Sequence, residues 1–425
     1  MGKNTINNRK KKLAKLRKKN ASKLNLESLT IKELLIRAQE QIDSFQYDCA
    51  QIYCQEALKR DPDNVLALET SSSLCIEVGN LDGAKHCLGR AITLKPDDGY
   101  AKYMSMAQLL EGKESLQCYQ KGIELLKAVI EGFQQSVKEN EAKCTENNIS
   151  RNSVGEVEMV TEHNGCNVDA SKETSLDEAA GVKDEPLPSS SSAEPEDNIA
   201  VIIRQTSSAY CSVAELFMTD LCDEEDAENQ CHANITNAID ADPSSPEAYQ
   251  LMASFLLVKQ DIEEARKYIT KSLQIWLPKY KEVEEDKAET GTFDPVEVCP
   301  LSYTARLSTA RILIEVEDHK HAVEVLEGLT EENDEVVDTW YLLGWSYYLQ
   351  GEEYRDRAKY YLHRAMQIHS TAPSDDVQLI EHLKELQQEL GPYVEEEVLD
   401  EADIEDELER GSEDEQLQNE EMDIS

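Results

Sequence analysis

The chain has 425 residues, of which 30% are charged and only 6% aromatic, with 17 glycines and 12 prolines; this composition favours helix over sheet and predicts an all-α protein. Its formal net charge of −43, from 86 acidic against 43 basic residues, repels phosphate backbones and anionic lipid and concentrates cationic partners. No apolar run is long enough to span a bilayer and the first residues lack a signal-peptide core, while eleven cysteines form no C-x-x-C pair, so reduced thiols in cytosol or nucleus are expected.

Residues 1–27 are a basic arm. Lys3 to Lys23 holds ten Lys/Arg and no acid, which leaves 33 bases against 86 acids in the rest of the chain, or −53. Within it, Arg9, Lys10, Lys11, Lys12, Arg17, Lys18 and Lys19 fit the grooves of an import receptor or an RNA contact in the nucleus. Association with the acidic carboxyl end and a solvated helix extension are the alternatives.

From residue 28 the pattern becomes repetitive. Ala57-Leu58-Lys59-Arg60-Asp61-Pro62 is answered thirty-four residues later by Ala91-Ile92-Thr93-Leu94-Lys95-Pro96, the period of a helix-turn-helix repeat that must stack to bury its apolar face. The first copy runs from Ile31 to Asp63, with Leu34, Leu35, Ala38 and Ile42 on one helix and Cys49, Ala50, Cys54 and Ala57 on the next. The second runs from Val65 to Pro96, broken at Gly79-Asn80, with Ala84, Leu88 and Ala91 at the corresponding positions. A third copy follows from Gly99 and extends to about Val137, so repeats one to three occupy 28–138. Residues 139–198, rich in Glu, Asn, Ser and Asp with Pro186, Pro188 and Pro195, are expected to be a disordered insertion.

Repeats four to seven are placed at 199–392. Cys231, Ile235, Ala238 and Pro243 restate the second-helix signature. The next copy carries Ala248, Met252, Ala265 and Ile269 and is expected to end near Pro278. Ala305, Ala310, Ala322 and Leu326 mark another, and Trp340, Leu343, Gly344, Tyr347, Ala358, Leu362 and Ala365 the last, with two extra residues in its turn. Val377 to Leu390 reads as a capping helix. Residues 393–425 form an acidic tail, with sixteen acids and one base past Val394, either a solubilising brush or a contact for a basic partner. Ser412 before Glu413-Asp414-Glu415 resembles an acidophilic kinase site.

Trp340, Leu343-Gly344, Tyr347, Ala358, Leu362 and Ala365, with the prolines of the first two copies, resemble the tetratricopeptide consensus. That resemblance implies a right-handed solenoid whose first helices line a concave face. The basic leader, the Ala-Leu-Lys-x-Asp-Pro stretch, Leu390-Gly391-Pro392-Tyr393 and the acidic end resemble a fungal and plant family, the assembly chaperones of large ribosomal subunit protein four. The resemblance implies a dedicated chaperone that holds a basic segment of a new ribosomal protein and accompanies it to the nucleus. A scaffold or co-chaperone adaptor in a nuclear complex is the alternative; an adaptor clamp needs Lys and Asn where this chain has Leu35 and Gln39.

The repeat phase names the concave candidates: Leu35, Gln39, Glu69, Ser73, Ile76, Glu77, Tyr103, Leu110, Glu111, Asp220, Asp223, Glu224, Glu315, Tyr341, Trp345 and Tyr348. Carboxylates pair with Lys and Arg, and aromatic rings stack on guanidinium planes, a combination suited to an extended basic peptide. A charged helix position is otherwise a solvated face and an aromatic at helical spacing otherwise core.

No phosphate-cradling loop, H-E-x-x-H or G-x-S-x-G occurs. His319 and His321 diverge by about 200° on a helix, so no metal site is expected there. The expectation is a monomeric non-enzyme without cofactor or metal, found in cytoplasm and nucleus, whose repeat body holds neither membrane nor nucleic acid stably.

Overall fold

The computed structural model describes residues 26–152, 195–290 and 299–393. Among them there is no strand, and the chain divides into two compact units, Met1–Ser245 and Pro246–Ser425. The arm before Leu26, the centre of the expected insertion and the tail after Tyr393 lie outside the described residues.

The first unit consists of four helical hairpins: α1 (Ile31–Asp43) with α2 (Tyr47–Arg60), α3 (Val65–Glu77) with α4 (Leu81–Leu94), α5 (Ala101–Leu109) with α6 (Gly112–Asn152), and α7 (Pro195–Met218) with α8 (Ala227–Ala241). α1 starts at a capping box in which Glu33 N–H donates to Thr30 Oγ1 (3.2 Å) and Thr30 N–H to Glu33 Oε2 (2.7 Å), so two donors at the helix end are satisfied reciprocally. Ala38, Ala50 and Ala57 are fully buried, as are Ala84 and Ala91, the counterparts of the last two, because only a methyl fits where paired helices approach closely; Leu34 fills the core beside them.

The thirty-four-residue echo is a stop signal. Asp61, Lys95 and Asp242 each precede a proline and each leaves the helical region, with φ of −138°, −138° and −136°, because the proline ring disfavours helical geometry in the residue before it. Each still donates its N–H to the carbonyl four residues back, closing the last helical turn.

The second unit comprises α9 (Pro246–Val258) with α10 (Ile262–Thr290), α11 (Tyr303–Glu315) with α12 (His319–Glu332), α13 (Val337–Leu349) with α14 (Arg355–Thr371), and the single helix α15 (Val377–Leu390). One core runs through it, from Ala253 and Ile269 past Leu313, Leu326 and Leu343 to Leu362 and Leu383. Gly344 allows α13 and α14 to touch: a Cβ there would lie 2.6 Å from Leu362 Cγ and 3.0 Å from Leu362 N.

Four of the turns within the hairpins share one backbone device. Phe45, Gly79, Gln260 and Glu317 occupy the second position of turns 44–46, 78–80, 259–261 and 316–318, all with φ between 57° and 70°. In each, the N–H of that residue bonds three residues back and the next N–H five back, the Schellman arrangement. The turn of the last hairpin, 350–354, is two residues longer, as expected from the sequence, and holds a 3-10 turn at Glu352–Tyr354.

Two boundaries differ from expectation. α6 continues as helix to Asn152, past the boundary placed at residue 138, and α7 begins at Pro195, before 199; the Lys, Glu and Ala of residues 138–143 are strong helix formers whatever their polarity. Pro278 was expected near the end of a repeat, yet it sits inside α10, which runs on to Thr290. Its ring is exposed, so the carbonyl left without a helical donor is on the solvated side.

Candidate binding surface

The polar candidates for the concave line fall into two groups in the first unit. Ser73, Glu77, Glu111 and Asp223 are exposed, with Glu77 accepting from the Tyr47 hydroxyl at 3.2 Å. Glu69 is half-buried and turned to Lys102, a lysine only 1% exposed whose ammonium donates to the Asp98 carbonyl. Burial raises the Glu69 pKa, the Lys102 charge offsetting part of that, and burial lowers the Lys102 pKa against the pull of Glu69 and Asp98. Glu69 is therefore engaged inside the stack. Tyr103 is corrected from groove to core: it is buried and its hydroxyl donates to the Pro96 carbonyl at 2.9 Å, tying α5 to the preceding turn. Ile76 and Leu110 are half-buried, Leu35 is buried, and Gln39 donates to Asp43 Oδ1 at 2.9 Å, so this stretch offers no cationic clamp.

Asp220 and Glu224 hold structure together. Gly112 N–H, at the start of α6, donates to Asp220 Oδ2 at 2.9 Å, a carboxylate placed at the positive end of the helix, and Lys113 Nζ pairs with Glu224 Oε1 at 2.8 Å. Beside them opens a groove of about 430 Å³. Leu116, Phe217 and Leu221 give it an apolar floor; Lys113, Gln117, Gln120 and Gln230 line its sides; Glu224, Glu225 and Asp226 form its acidic rim. It lies against the second helices of hairpins three and four, α6 and α8, and the end of α7. The acidic run Asp223-Glu224-Glu225-Asp226 was its signal in the sequence, but Phe217 and Leu116 were not singled out because apolar residues at helical spacing read as core.

In the second unit the aromatic trio is covered by the chain itself. Tyr341 OH hydrogen-bonds His382 Nδ1 at 2.6 Å, Trp345 lies edge to face with His382 and stacks on Tyr348 with centroids 5.5 Å apart, and Tyr348 OH donates to Glu389 Oε1 at 2.7 Å. His382 and Glu389 belong to α15, so the capping helix lies on the face that the repeat phase assigned to a ligand. Glu315 remains exposed.

Among the described residues no group of three or more His, Cys, Asp or Glu is placed to hold a metal ion, and no helix is long and apolar enough to cross a membrane. His321 pairs with Asp318 (2.8 Å) and His319 faces Ser346 (3.5 Å), so they serve separate contacts. Cys49, Cys54, Cys75, Cys87, Cys118, Cys211, Cys222, Cys231 and Cys299 are free thiols. The nuclear-targeting candidates Arg9 to Lys19 lie outside the described residues.

Paired helices at a thirty-four-residue period, small residues at each helix crossing and a capping helix define an all-α tetratricopeptide-repeat solenoid protein. Among curated proteins, the chain is similar to two named "Probable assembly chaperone of rpl4". One, from Schizosaccharomyces pombe, is 26% identical over 379 residues, covering 84% of this chain and 90% of the relative. The other, from Emericella nidulans, is 25% identical over 410 residues, covering 88% and 85%. A solved structure of an assembly chaperone of RpL4, Acl4 residues 1–338, superposes with a TM-score of 0.56 at 26% identity, covering 78% of this chain and all of that one. No protein-family model matches the chain.

Proposed function

We propose that this chain is a dedicated, non-enzymatic chaperone that holds a newly made large-subunit ribosomal protein of the L4 kind until it is delivered to the pre-ribosome in the nucleus. The observation that carries the reading is the similarity, along most of their length, to two curated proteins and one solved structure that bear the same description. The physical chemistry agrees. A ribosomal protein carries positive charge meant to be neutralised by RNA, and a body of −53 beyond residue 23 is a substitute polyanion. The exposed acids Glu77, Glu111, Asp223 and Glu315 are the surface groups through which a basic segment is held, and the arm from Arg9 to Lys19 is the part an import receptor reads.

The test is co-expression with the ribosomal protein, followed by capture at low and high salt. One free ribosomal protein is expected, in a soluble complex whose association slows as salt rises, because steering between surface charges is screened beyond about 8 Å at physiological ionic strength. Recovery of several stable subunits in place of the single client, or failure to keep the client soluble, would overturn the reading in favour of a scaffold.

A further inference from the structure

We infer that the groove beside α6 and α8 is a docking site for the chain's own basic arm, with Leu13 and Leu16 on its apolar floor and the flanking lysines on its acidic rim. The groove pairs two chemistries. Half-buried Leu116 and Phe217 offer apolar surface to the solvent side above buried Leu221, and Glu224, Glu225 and Asp226 crowd three carboxylates at its edge. One of these already takes an ammonium, Lys113 Nζ on Glu224 at 2.8 Å, while Asp226 is engaged by Asn229 and Gln230. The rim is left with more negative charge than its single lysine balances. An occupant must therefore bring both cations and aliphatic groups.

The arm supplies that pattern. Lys10-Lys11-Lys12-Leu13-Ala14-Lys15-Leu16-Arg17 sets two leucines three residues apart among bases, the spacing that would put both leucines on one face of a helix formed on docking, with the bases around them. The described chain begins at Leu26, in the same unit as the groove, and is held there by Arg60, which donates to the Leu26 and Leu29 carbonyls. Thirteen residues separate Leu13 from Leu26, a tether of up to about 45 Å. The groove lies two to three hairpins farther along the unit, on the order of 30 Å at the 8–10 Å spacing of packed helices. Tethering makes the encounter intramolecular, so weak contacts suffice. The acidic tail offers the arm more carboxylates, but ion pairs in water contribute little alone; the groove adds apolar burial. Docked in this way, the arm occupies an acidic surface that a basic client also seeks, and leaves its own lysines covered.

The proposal needs no client, so its failure is separable from that of the chaperone reading. The full chain alone is treated with a water-soluble carbodiimide, which joins lysine amines to carboxylates in direct contact, and the links are mapped by peptide mass. Links from Lys10, Lys11, Lys12 or Lys15 to Glu224, Glu225 or Asp226 are expected. They should fall at least threefold in the Leu13→Ser, Leu16→Ser double variant, which keeps every charge and alters no residue of the hairpins. The Phe217→Ser variant should act alike, with its helix content checked by circular dichroism. Links confined to acids 394–425, links scattered over the whole body, links formed only between copies in an isotope-mixed sample, or links unchanged by the leucine substitutions would each overturn it.

Discussion

Trp345 on α13 and His382 on α15 meet edge to face, with ring centroids 4.6 Å apart and planes at 71°. This contact ties the capping helix to the aromatic face of the last hairpin, and the Tyr341 and Tyr348 hydroxyls fasten the same helix at His382 and Glu389. The trio therefore acts first on stability. Trp345→Ala is expected to cost about 2 kcal/mol, below the range for a fully buried tryptophan because Trp345 is only half-buried. Denaturant unfolding followed by tyrosine fluorescence measures it. Unchanged stability together with lost client capture would instead make Trp345 a contact residue.

Gly344→Ala tests the closest helix crossing. Its new Cβ would meet Leu362 Cγ at 2.6 Å and the Leu362 backbone nitrogen at 3.0 Å; a side chain can rotate away, but the backbone of α14 cannot. A loss of about 1–3 kcal/mol is expected, the usual cost of overpacking. A thermal midpoint equal to that of the parent chain would show that the two helices are free to separate.

The turns predict a pair of opposite effects. Gly79 and Glu317 stand at equivalent positions with φ of 70° and 61°, a region that costs an L side chain about 1–2 kcal/mol. Gly79→Ala should destabilise by about 1 kcal/mol, while Glu317→Gly should raise the midpoint despite the added freedom of the unfolded chain. Differential scanning calorimetry of the two variants reads both signs in one experiment, and equal signs would refute the shared geometry.

The thiols separate by burial. Desolvation pushes Cys54 and Cys231 up to about 11, whereas Cys222 is exposed. Since the thiolate is the reactive form, iodoacetamide at pH 8 should label Cys222 well ahead of Cys54 and Cys231. Peptide mapping over time provides the check; labelling of Cys54 at the rate of Cys222 would mean that the first hairpins open readily.

Much of this architecture was legible because repeats state the same physics more than once. The capping helix was expected at Val377 to Leu390 and lies there, since Asp376 caps its first turn (Leu379 N to Oδ1, 3.0 Å) and Gly391, at φ 85°, ends it. The end of α6 lies beyond the boundary that polarity marks, because lysine, glutamate and alanine propagate a helix well. Pro278 marks a repeat end in the sequence, since its pattern does not show that the ring faces solvent. The groove suffered from a different limit. A thirty-four-residue phase fixes which face of a helix points where, but not what covers that face afterwards, so Glu69 met Lys102 and Trp345 met α15.

Glu69 and Lys102 give stability a pH dependence with two limbs of opposite sign. Burial raises the folded carboxyl above its ordinary value of 4.5, so through that window the fold holds a proton the unfolded chain has released, and stability falls as pH rises. Burial lowers the folded ammonium below 10.5, so between the lowered value and 10.5 the unfolded chain holds the extra proton, and stability rises with pH. Lys102→Met removes the upper limb and leaves Glu69 without its nearest cation, which lifts its pKa further. The acid-side fall should steepen, by about 1.4 kcal/mol at neutral pH for each further tenfold change in its acid dissociation. Adding Glu69→Gln should abolish that fall and return stability to at least the parent level, as replacing a whole buried pair often does. Urea midpoints from pH 4 to 10 for the parent, Lys102→Met and the double variant decide it. An acid limb in Lys102→Met parallel to that of the parent would show that the two side chains do not sense each other.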